Sequence, residues 1–216
     1  MADQDKAIEW ATDECEADIV SMSFGFEAEN DAGGYDPIRR AIHDSMKNHD
    51  RTLYFAAAGN EGANIGRVMF PARHELVIPV YGTDAKGAFL NSLNPIGRLD
   101  YSAMFGTLAQ DIPCAGLSSE GEVRVTGTSF ATAIAAGLAG MLLEYTRVIE
   151  SRQRAQGGLE VPWSSRLSAR RGMIALFSNI AEQSPDRRYY LHPTHFFQRS
   201  EDVKMACIVK AYDESR

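Results

Sequence analysis

The amino-acid sequence predicts an α/β protein with three αβα layers, in which helices cover both faces of a mostly parallel sheet. Strand patterns alternate with helix patterns along the first 150 residues, an order that is typical of parallel βαβ units. Hydrophobic residues make up 44% of the 216-residue chain, which is enough for a sizeable core. Two polar stretches with glycine, residues 21–26 and 56–62, follow predicted strands, and sheets of this kind bind ligands at such strand ends.

The first half of the chain supplies the alternation of strands and helices. Apolar residues recur at helical spacing over residues 4–15, and the next segment, "ADIVSMSFG", has the continuous apolar character of a buried strand. A turn-rich loop then leads into an amphipathic helix, for which Asp36 is the expected N-cap and Pro37 the first helical residue. The segments "TLYFAAAGN" and "ELVIPVYG" are two further buried strands, although Pro79 is expected to exclude part of the second from the sheet.

The second half is dominated by one long helix. Residues 128–150 are apolar nearly all round, which predicts a central, buried helix. Gly137 and Gly140 lie inside it, and because glycine costs about 1 kcal/mol in a helix interior, we expect tight packing at both. After this helix the chain turns polar, and a further amphipathic helix, "MIALFSNIA", is expected to pack on the domain. We therefore separate residues 1–150 from a C-terminal extension, residues 151–216, that is helical plus irregular.

Charge and hydropathy exclude several classes of partner. The chain carries 22 Lys and Arg against 29 Asp and Glu, a net charge of −7, which argues against a nucleic-acid or anionic-membrane partner. The N-terminal segment "MADQDKAIEW" lacks the apolar core of a signal peptide. No apolar run is expected to span a membrane, since "TAIAAGLAGMLL" is too short and fits a core helix. The localisation stays unassigned.

The cysteines and histidines predict neither a disulfide framework nor a metal or cofactor. The three cysteines are far apart and odd in number, and no CxxC spacing occurs. His192 and His195 form an isolated HxxH, which is weak as a metal motif. His43 and His49 are expected on the surface of a helix and His74 in an exposed loop.

A serine, Ser129, stands at the head of the long helix. Gly127 is expected to let the chain enter the turn without a side-chain clash, and either Thr128 or Ser129 to cap the helix. The N–H groups and the positive end of the helix dipole at this position favour a developing negative charge. This is a good position for a nucleophile, but the local pattern alone favours an ordinary N-cap.

Three motifs together resemble the subtilisin-like serine proteases. The segment "GTSFATAIAAGLA", which contains Ser129, is similar to the serine motif of that family. "AAAGNEG" is similar to its oxyanion-hole segment, and "DIVSMSFGF" to the segment that lines its substrate cleft. The motifs occur in the family's order and the resemblance covers roughly residues 5–148, so residues 1–150 are identified as a partial subtilisin-like peptidase domain. Phe70–Pro71 matches a position where the family often has a cis peptide.

The resemblance implies a role for each matching residue. Ser129 would be the nucleophile, and the side-chain amide of Asn60 would bind the oxyanion together with the Ser129 N–H. Two chain segments and two single residues would bind the polypeptide substrate. Ser23, Phe24 and Gly25 would pair with it as a strand. Ala57, Ala58 and Gly59 would form a wall of the pocket for the residue before the cleaved bond. Glu61 would lie at the rim of that pocket, where it could favour basic side chains, and Gly127 would also contact the substrate.

The family's aspartate and histidine motifs, D-[ST]-G and H-G-T-H, do not occur in this sequence. The resemblance implies an N-terminally truncated domain, with both residues supplied by a preceding segment or a partner chain. None of the five histidines lies in a context that predicts contact with Ser129. Two smaller departures are Ala133, where the family usually has proline, and Phe130, where methionine is common.

Three hypotheses therefore remain open. The first is a serine endopeptidase that carries the nucleophile and oxyanion hole but lacks the aspartate and histidine motifs in this chain. The second is a catalytically inactive, peptidase-like module that binds polypeptides or regulates. The third, an α/β nucleotide binder that uses "AAAGNEG" as an anion nest, is disfavoured because neither GxGxxG nor GxxxxGK[ST] occurs.

Overall fold

The computed structural model describes residues 3–27, 37–48, 52–64, 66–97, 103–116, 121–157, 161–184 and 186–216. The strands are Ile19–Met22 (β1), Leu53–Ala57 (β2), Val77–Thr83 (β3), Met104–Leu108 (β4), Ile112–Ala115 (β5), Glu122–Val125 (β6), Glu182–Gln183 (β7) and Arg188–Tyr190 (β8). The helices are Gln4–Glu9 (α1), Pro37–Asn48 (α2), Thr128–Ala155 (α3), Trp163–Leu167 (α4), Arg170–Ile180 (α5) and Glu201–Glu214 (α6). One π turn, Trp10–Glu14, continues α1, and one 3-10 turn spans Gly62–Asn64.

Six strands form the central sheet in the order β1-β2-β3-β4-β8-β7. The first five run parallel, and β7 is antiparallel to β8. Alternate residues of β2 face opposite sides of the sheet: Leu53 and Phe55 pack with α3 and α5, whereas Tyr54 and Ala56 pack with α1 and α2. Helices thus cover both faces, and the predicted three-layer α/β fold is confirmed.

Strand β3 is continuous through its proline, so the expectation that Pro79 excludes part of it is wrong. Pro79 pairs with Ala56 of β2, and its strand is buried throughout. The pairing of β3 with β4 begins only at Val80. The missing N–H therefore falls where the strand has its neighbour on one side alone, and the sheet tolerates it.

Helix α3 is five residues longer than predicted. The expectation that its apolar run is too short to span a membrane is corrected as well. By length and composition alone an 18-residue window of this helix could cross a membrane, but half of that window is buried inside the protein. The helix contacts four neighbouring strands, β1 to β4. A core helix passes the same test, and the packing assigns α3 to that class.

The two glycines of α3 do not share the expected packing role. A Cβ at Gly140 would meet Ile19 Cδ1 at 3.7 Å, an ordinary contact, whereas a Cβ at Gly137 would meet no atom within 4 Å. Tight packing is thus a wrong prediction at both glycines: Gly137 lies on the exposed side of the helix, and Gly140 makes only an ordinary contact.

The C-terminal segment shares the core that lies between α3 and the sheet. Helix α4 packs against α3, helices α4, α5 and α6 pack with each other, and β8 adds a parallel strand beside β4. The side chains that bury this segment are Trp163, Leu167, Met173, Leu176, Phe177 and Ile208. The helix predicted at "MIALFSNIA" lies within α5 and packs on the domain, as expected.

One polar contact fastens α6 to α3. The hydroxyl of Tyr145 donates to Glu201 Oε2 at 2.6 Å, and Lys204 Nζ lies 2.8 Å from the other carboxylate oxygen and 5.5 Å from the Tyr145 ring centroid. Burial, and then the hydrogen bond to the Glu201 carboxylate, raise the pKa of Tyr145 from 10.0 to about 12. The neutral phenol is therefore favoured in the folded protein.

This contact predicts a specific loss of stability at high pH. A raised pKa contributes stability that is complete below pH 10 and is lost as the pH rises through about 12. The Tyr145→Phe variant should therefore lose less stability than the unchanged protein between pH 9 and pH 11.5. Urea unfolding at both pH values measures this difference, and an equal loss in the two proteins would contradict it.

Two sequence predictions lie outside the described residues, namely the N-cap role of Asp36 and the position of His49.

The cysteines Cys15, Cys114 and Cys207 are free thiols. Trp10, in the π turn, is 63% exposed.

Candidate functional site

The head of α3 meets the segments that follow β1 and β2, at the carboxyl edge of the sheet. Ser129 Oγ donates a hydrogen bond to the carbonyl oxygen of Ser23 at 3.3 Å, and Ser23 Oγ donates to the carbonyl oxygen of Ser129 at 3.1 Å. Two segments 106 residues apart in sequence are thus brought into contact. The fold places Ser129 beside the segment that was predicted to bind a peptide strand.

Asn60 holds the first residue of α3. Its Oδ1 accepts from the Thr128 N–H at 2.8 Å and lies 2.8 Å from Thr128 Oγ1. Gly59 also contacts this hydroxyl, with its N–H at 3.4 Å and its carbonyl oxygen at 3.2 Å. The N-cap is Gly127, and neither Thr128 nor Ser129 caps with its side chain, so that sequence prediction is wrong. The side chain of Asn60 takes over the capping acceptor role from outside the helix.

This anchoring fixes the orientation of the Asn60 amide. With Oδ1 turned to Thr128, the Nδ2 group points away from it and lies 3.5 Å from the position of a Cβ built on Gly127. No hydrogen bond from Nδ2 to another described residue is formed, and the side chain is exposed. Ser129 is the second residue of α3, so its N–H has no partner within the helix. The site therefore presents a side-chain amide and a helix N-terminal N–H around Gly127 and Ser129, an arrangement that can bind an oxyanion.

Gly127 is not required by the backbone geometry that was expected. Its φ of 166° is extended, and a Cβ there would make only ordinary contacts, the nearest at 3.5 Å. The expectation of a steric requirement for entering the turn is wrong. Such a Cβ would instead stand beside Asn60 Nδ2.

A neighbouring loop supports the segment that carries Asn60. The N–H of Gly62 donates to the Leu93 carbonyl oxygen at 3.0 Å, and a Cβ at Gly62 would meet the Ser92 carbonyl oxygen at 2.6 Å. The buried Asn94 side chain in turn bonds both backbone groups of Gly82 at 2.7 Å. Residues 59–62 are thus held on a rigid base, which a preorganised site requires.

The predicted pocket wall has an inner and an outer part. Ala57 and Ala58 are buried, and Ala58 uses its N–H on Val80 and its carbonyl oxygen on Met69. Gly59 is half-buried with φ at +130°, and Glu61 is exposed. Glu61 therefore has the accessibility that a residue at a pocket rim needs.

The other predicted wall is the segment after β1. Among the described residues no hydrogen bond engages the backbone of Phe24 or Gly25, whereas Phe26 exchanges both backbone bonds with Phe70 at 2.7 and 2.9 Å. The cis peptide expected at Phe70–Pro71 is present. Residues 24 and 25 therefore keep backbone groups that an added peptide strand could use.

Burial corrects two expectations about histidines. His74, expected in an exposed loop, is 3% exposed, and its Nδ1 accepts from the Leu76 N–H at 3.2 Å. Its ring lies 5.0 Å from that of His43, which is half-buried rather than solvated. The His74 ring also lies 6.3 Å from that of Phe70, so the loop after Pro71 packs against α2, which carries His43. Ser129 begins the helix on the opposite face.

The remaining described histidines also lie apart from Ser129. His192 and His195 stand after β8 with their rings 6.0 Å apart, and His195 Nδ1 is 3.2 Å from Glu182 Oε1. Within the described ranges, no group of three or more His, Cys, Asp and Glu side chains could hold a metal ion.

Sequence reasoning missed the contact of Thr128 with Asn60 and did not single out Met69. Thr128 fixes the Asn60 amide, and the sequence feature that could have indicated this contact is the hydroxyl residue next to Ser129 in "GTSF". Met69 lies between Gly25 and Gly59, and only the two opposed glycines hint at its position.

Comparisons with known proteins identify the family and support the fold. The model of the subtilase family matches residues 1–157. A mutant of the protease domain of PatA superposes with a TM-score of 0.63 at 25% identity, over 90% of this chain and 63% of that chain. The prenylagaramide maturation protease PagA gives 0.60 at 23% identity, over 100% and 68%. The PatG macrocyclase in complex with peptide gives 0.56 at 19%, over 96% and 55%.

The chain therefore spans 63% of the length of the PatA protease domain and little more than half that of the PatG macrocyclase. A comparison with curated proteins finds no match.

Proposed function

The chain belongs to the subtilase family of peptidases, and on that premise we propose that it is part of a serine endopeptidase domain, with Ser129 as the nucleophile and Asn60 as the oxyanion donor. Its substrate is a polypeptide. The histidine and aspartate that complete the triad come from polypeptide outside these 216 residues, either a preceding segment or a partner chain.

The observation that carries this proposal is the fixed orientation of the Asn60 amide. Because Oδ1 is held by Thr128, Nδ2 needs no reorientation to donate to an oxyanion. In the reaction, Ser129 Oγ bonds to the scissile carbonyl carbon and the carbonyl oxygen becomes negative. Asn60 Nδ2 and the Ser129 N–H then stabilise that oxygen, which is the largest single contribution in many acyl-transfer enzymes.

The proton of Ser129 needs an acceptor that the described residues do not supply. Ser129 Oγ donates to the Ser23 carbonyl oxygen, which is too weak a base to remove the proton. The described histidines lie on the α2 side of the sheet or after β8. An external histidine, oriented by an aspartate, would take this proton and later give it to the leaving amine.

Boron-11 NMR with a peptidyl boronic acid that ends in boro-alanine tests this assignment. The Ser129 oxygen bonds to boron and its proton passes to a buffer base, so the product is a tetrahedral boronate anion that the oxyanion hole stabilises. We expect a tetrahedral signal with the unchanged chain and none with Ser129→Ala. A signal that persists in Ser129→Ala would place the nucleophile elsewhere and refute the assignment.

Substitution of Gly127 tests the position of the oxyanion site. In Gly127→Ala the new methyl group lies 3.5 Å from Asn60 Nδ2, where the oxyanion would bind. We expect about a tenfold loss of affinity for the same boronic acid, the lower range for one misplaced methyl group. Stability to urea should change by less than about 0.5 kcal/mol, since the contacts are ordinary. Unchanged affinity for the boronic acid would show that the oxyanion does not bind beside Gly127.

The second candidate function is a catalytically inactive, peptide-binding module. The bond from Ser129 Oγ to a carbonyl rather than to a base favours it. It predicts that labelled peptides bind equally to the unchanged chain and to Ser129→Ala, and that the boronic acid binds no more tightly than its carboxylic acid analogue. A tetrahedral boron signal would exclude it.

A further inference from the structure

A buried asparagine, Asn94, takes the place of strand β2 beside the end of β3. Strand β2 follows β3 only as far as Val80, whose carbonyl oxygen accepts from the Ala58 N–H at 3.0 Å. Gly82, two residues further along β3, points its backbone groups to the same side of the strand. Its N–H donates to Asn94 Oδ1 and its carbonyl oxygen accepts from Asn94 Nδ2, both at 2.7 Å. The Asn94 amide thus satisfies two buried backbone groups that β2 does not reach.

The loop that carries Asn94 contacts the first half of the proposed oxyanion site. The preceding residue, Leu93, is buried, and its carbonyl oxygen accepts from the Gly62 N–H at 3.0 Å. A Cβ built on Gly62 would meet the Ser92 carbonyl oxygen at 2.6 Å, so the loop packs directly against the segment that carries Asn60. The position of that segment therefore depends on where the loop is attached.

The end of β3 also holds the second half of the site. A Cβ built on Gly82 would be 2.6 Å from Ala109 Cβ and 2.6 Å from Leu93 Cδ2, so both side chains pack directly on this glycine. The Ala109 N–H donates to the Thr83 carbonyl oxygen at 2.9 Å, and the Ala109 carbonyl oxygen accepts from the N–H of Gly127, the N-cap of α3, at 2.9 Å. Both halves of the site are thus connected to the same two residues of β3, one through the loop and the other through Ala109.

We propose that Asn94 is a positioning residue for the oxyanion site, because it sets the place of the Asn60 segment relative to the head of α3. The inference rests on the proposed function. The bonds to Thr128 orient the Asn60 amide, whereas the loop holds the backbone from which that side chain extends. Without the Asn94 amide, Gly82 keeps two buried groups without a side-chain partner, and the loop loses its attachment to β3. The donor then shifts from the position that an oxyanion needs, and a misplacement of about 1 Å can cost about 10²-fold in rate.

Two measurements on Asn94→Ala test the proposal. Hydrogen exchange of the Gly62 amide, followed by NMR, should be at least about tenfold faster than in the unchanged chain, because its acceptor is no longer fixed. The second measurement is the affinity for the peptidyl boronic acid divided by the affinity for the same peptide with hydrogen in place of the boronic acid group. This ratio isolates the oxyanion contact, which a merely structural role would not change. It should fall about tenfold, a part of the about 10²–10³ that loss of an entire donor costs in subtilisin.

Asn179→Ala is the matched control. The Asn179 side-chain amide donates to the Ala175 carbonyl oxygen at 2.9 Å and to Glu214 Oε2 at 2.7 Å, within the C-terminal helices. This variant also loses an amide with two hydrogen bonds and should be less stable to urea. It should nevertheless leave both the Gly62 exchange rate and the affinity ratio unchanged.

A second variant, Asn94→Asp, makes the same contact reversible. A protonated carboxyl group offers one donor and one acceptor, as the Asn94 amide does toward Gly82, whereas a carboxylate would place a negative oxygen against the Gly82 carbonyl oxygen. At about pH 5, where burial favours the protonated form, the affinity ratio of Asn94→Asp should equal that of the unchanged chain at the same pH. If Asn94→Ala gives no cooperative urea transition, this variant decides the question.

The outcomes separate the inference from the proposed function. If the unchanged chain binds the boronic acid no more tightly than the unmodified peptide, the oxyanion site and the inference are both refuted. If the unchanged chain shows this preference and folded Asn94→Ala retains it, the inference alone is overturned. It is equally overturned if Asn179→Ala lowers the ratio as much, or if Asn94→Asp does not regain the ratio in acid.

Discussion

The Asn60→Asp variant is expected to lose oxyanion binding while it keeps its stability. An aspartate retains the oxygen that accepts from Thr128 and adds a negative charge at the N-terminus of α3, which is favourable there. It also replaces the Nδ2 donor by an oxygen that repels an oxyanion. The loss of one such donor costs about 10²–10³ in turnover, a figure measured for subtilisin, and we expect a loss of that order in affinity for the peptidyl boronic acid.

The Asn60→Ala variant is the control that separates the two roles of the side chain. It removes donor and cap together, so it should lose the same affinity and, in addition, about 0.5–2 kcal/mol of stability to urea. If Asn60→Asp binds the boronic acid as tightly as the unchanged chain, the amide does not contact the oxyanion. If it unfolds as easily as Asn60→Ala, the Thr128 contact does not stabilise the helix end.

The largest effect on stability is expected for Gly172→Ala. Gly172 lies in the first turn of α5, where a Cβ would be 2.2 Å from the Arg166 carbonyl oxygen and 2.7 Å from Leu167 Cα. Both atoms belong to the backbone of α4 and cannot rotate away, so α4 and α5 must separate. We expect the free energy of unfolding to fall by about 3 kcal/mol or more, at the upper end for overpacking. The midpoint of the cooperative urea transition should fall with it.

Gly137→Ala is the matched control, because it adds the same methyl group to a helix where no atom lies within 4 Å. Alanine is favoured over glycine in a helix interior, so this variant should gain about 0.5–1 kcal/mol. If both variants change stability by the same amount, the close approach of α4 and α5 is not a feature of the folded protein. If Gly172→Ala unfolds in two separate transitions, the C-terminal helices fold apart from the sheet.

The sequence predicts the helices and strands well where the signal is periodic or local. The buried strands around Phe55 and Ile78 have continuous apolar character, and the head of α3 follows a glycine–hydroxyl pattern. Pro79 was misjudged because a local rule on strands does not include where the neighbouring strand begins. His74 was misjudged because burial of a loop depends on the helix that folds over it.

The contacts that define the site could not be predicted from local pattern. The cap of α3 comes from Asn60, 68 residues away, so a rule that searches for the cap beside the helix finds the wrong residue. Met69 shows the same limit, since its position between Gly25 and Gly59 arises from three separate segments that meet only in the fold. Tertiary contacts of this kind replace what local propensity would choose.

The central claim is that Ser129 is a nucleophile that lacks only its base. Labelling of residues 1–216 with a fluorophosphonate, with and without imidazole as an external base, measures this by mass spectrometry, with Ser129→Ala as the control. We expect no labelling of the chain alone and labelling of Ser129 that grows with imidazole concentration. If Ser129 is labelled without imidazole and the label disappears in Ser129→Ala, this chain contains its own base. If the folded chain is not labelled at any imidazole concentration, Ser129 is not a nucleophile. Either result would contradict the central claim.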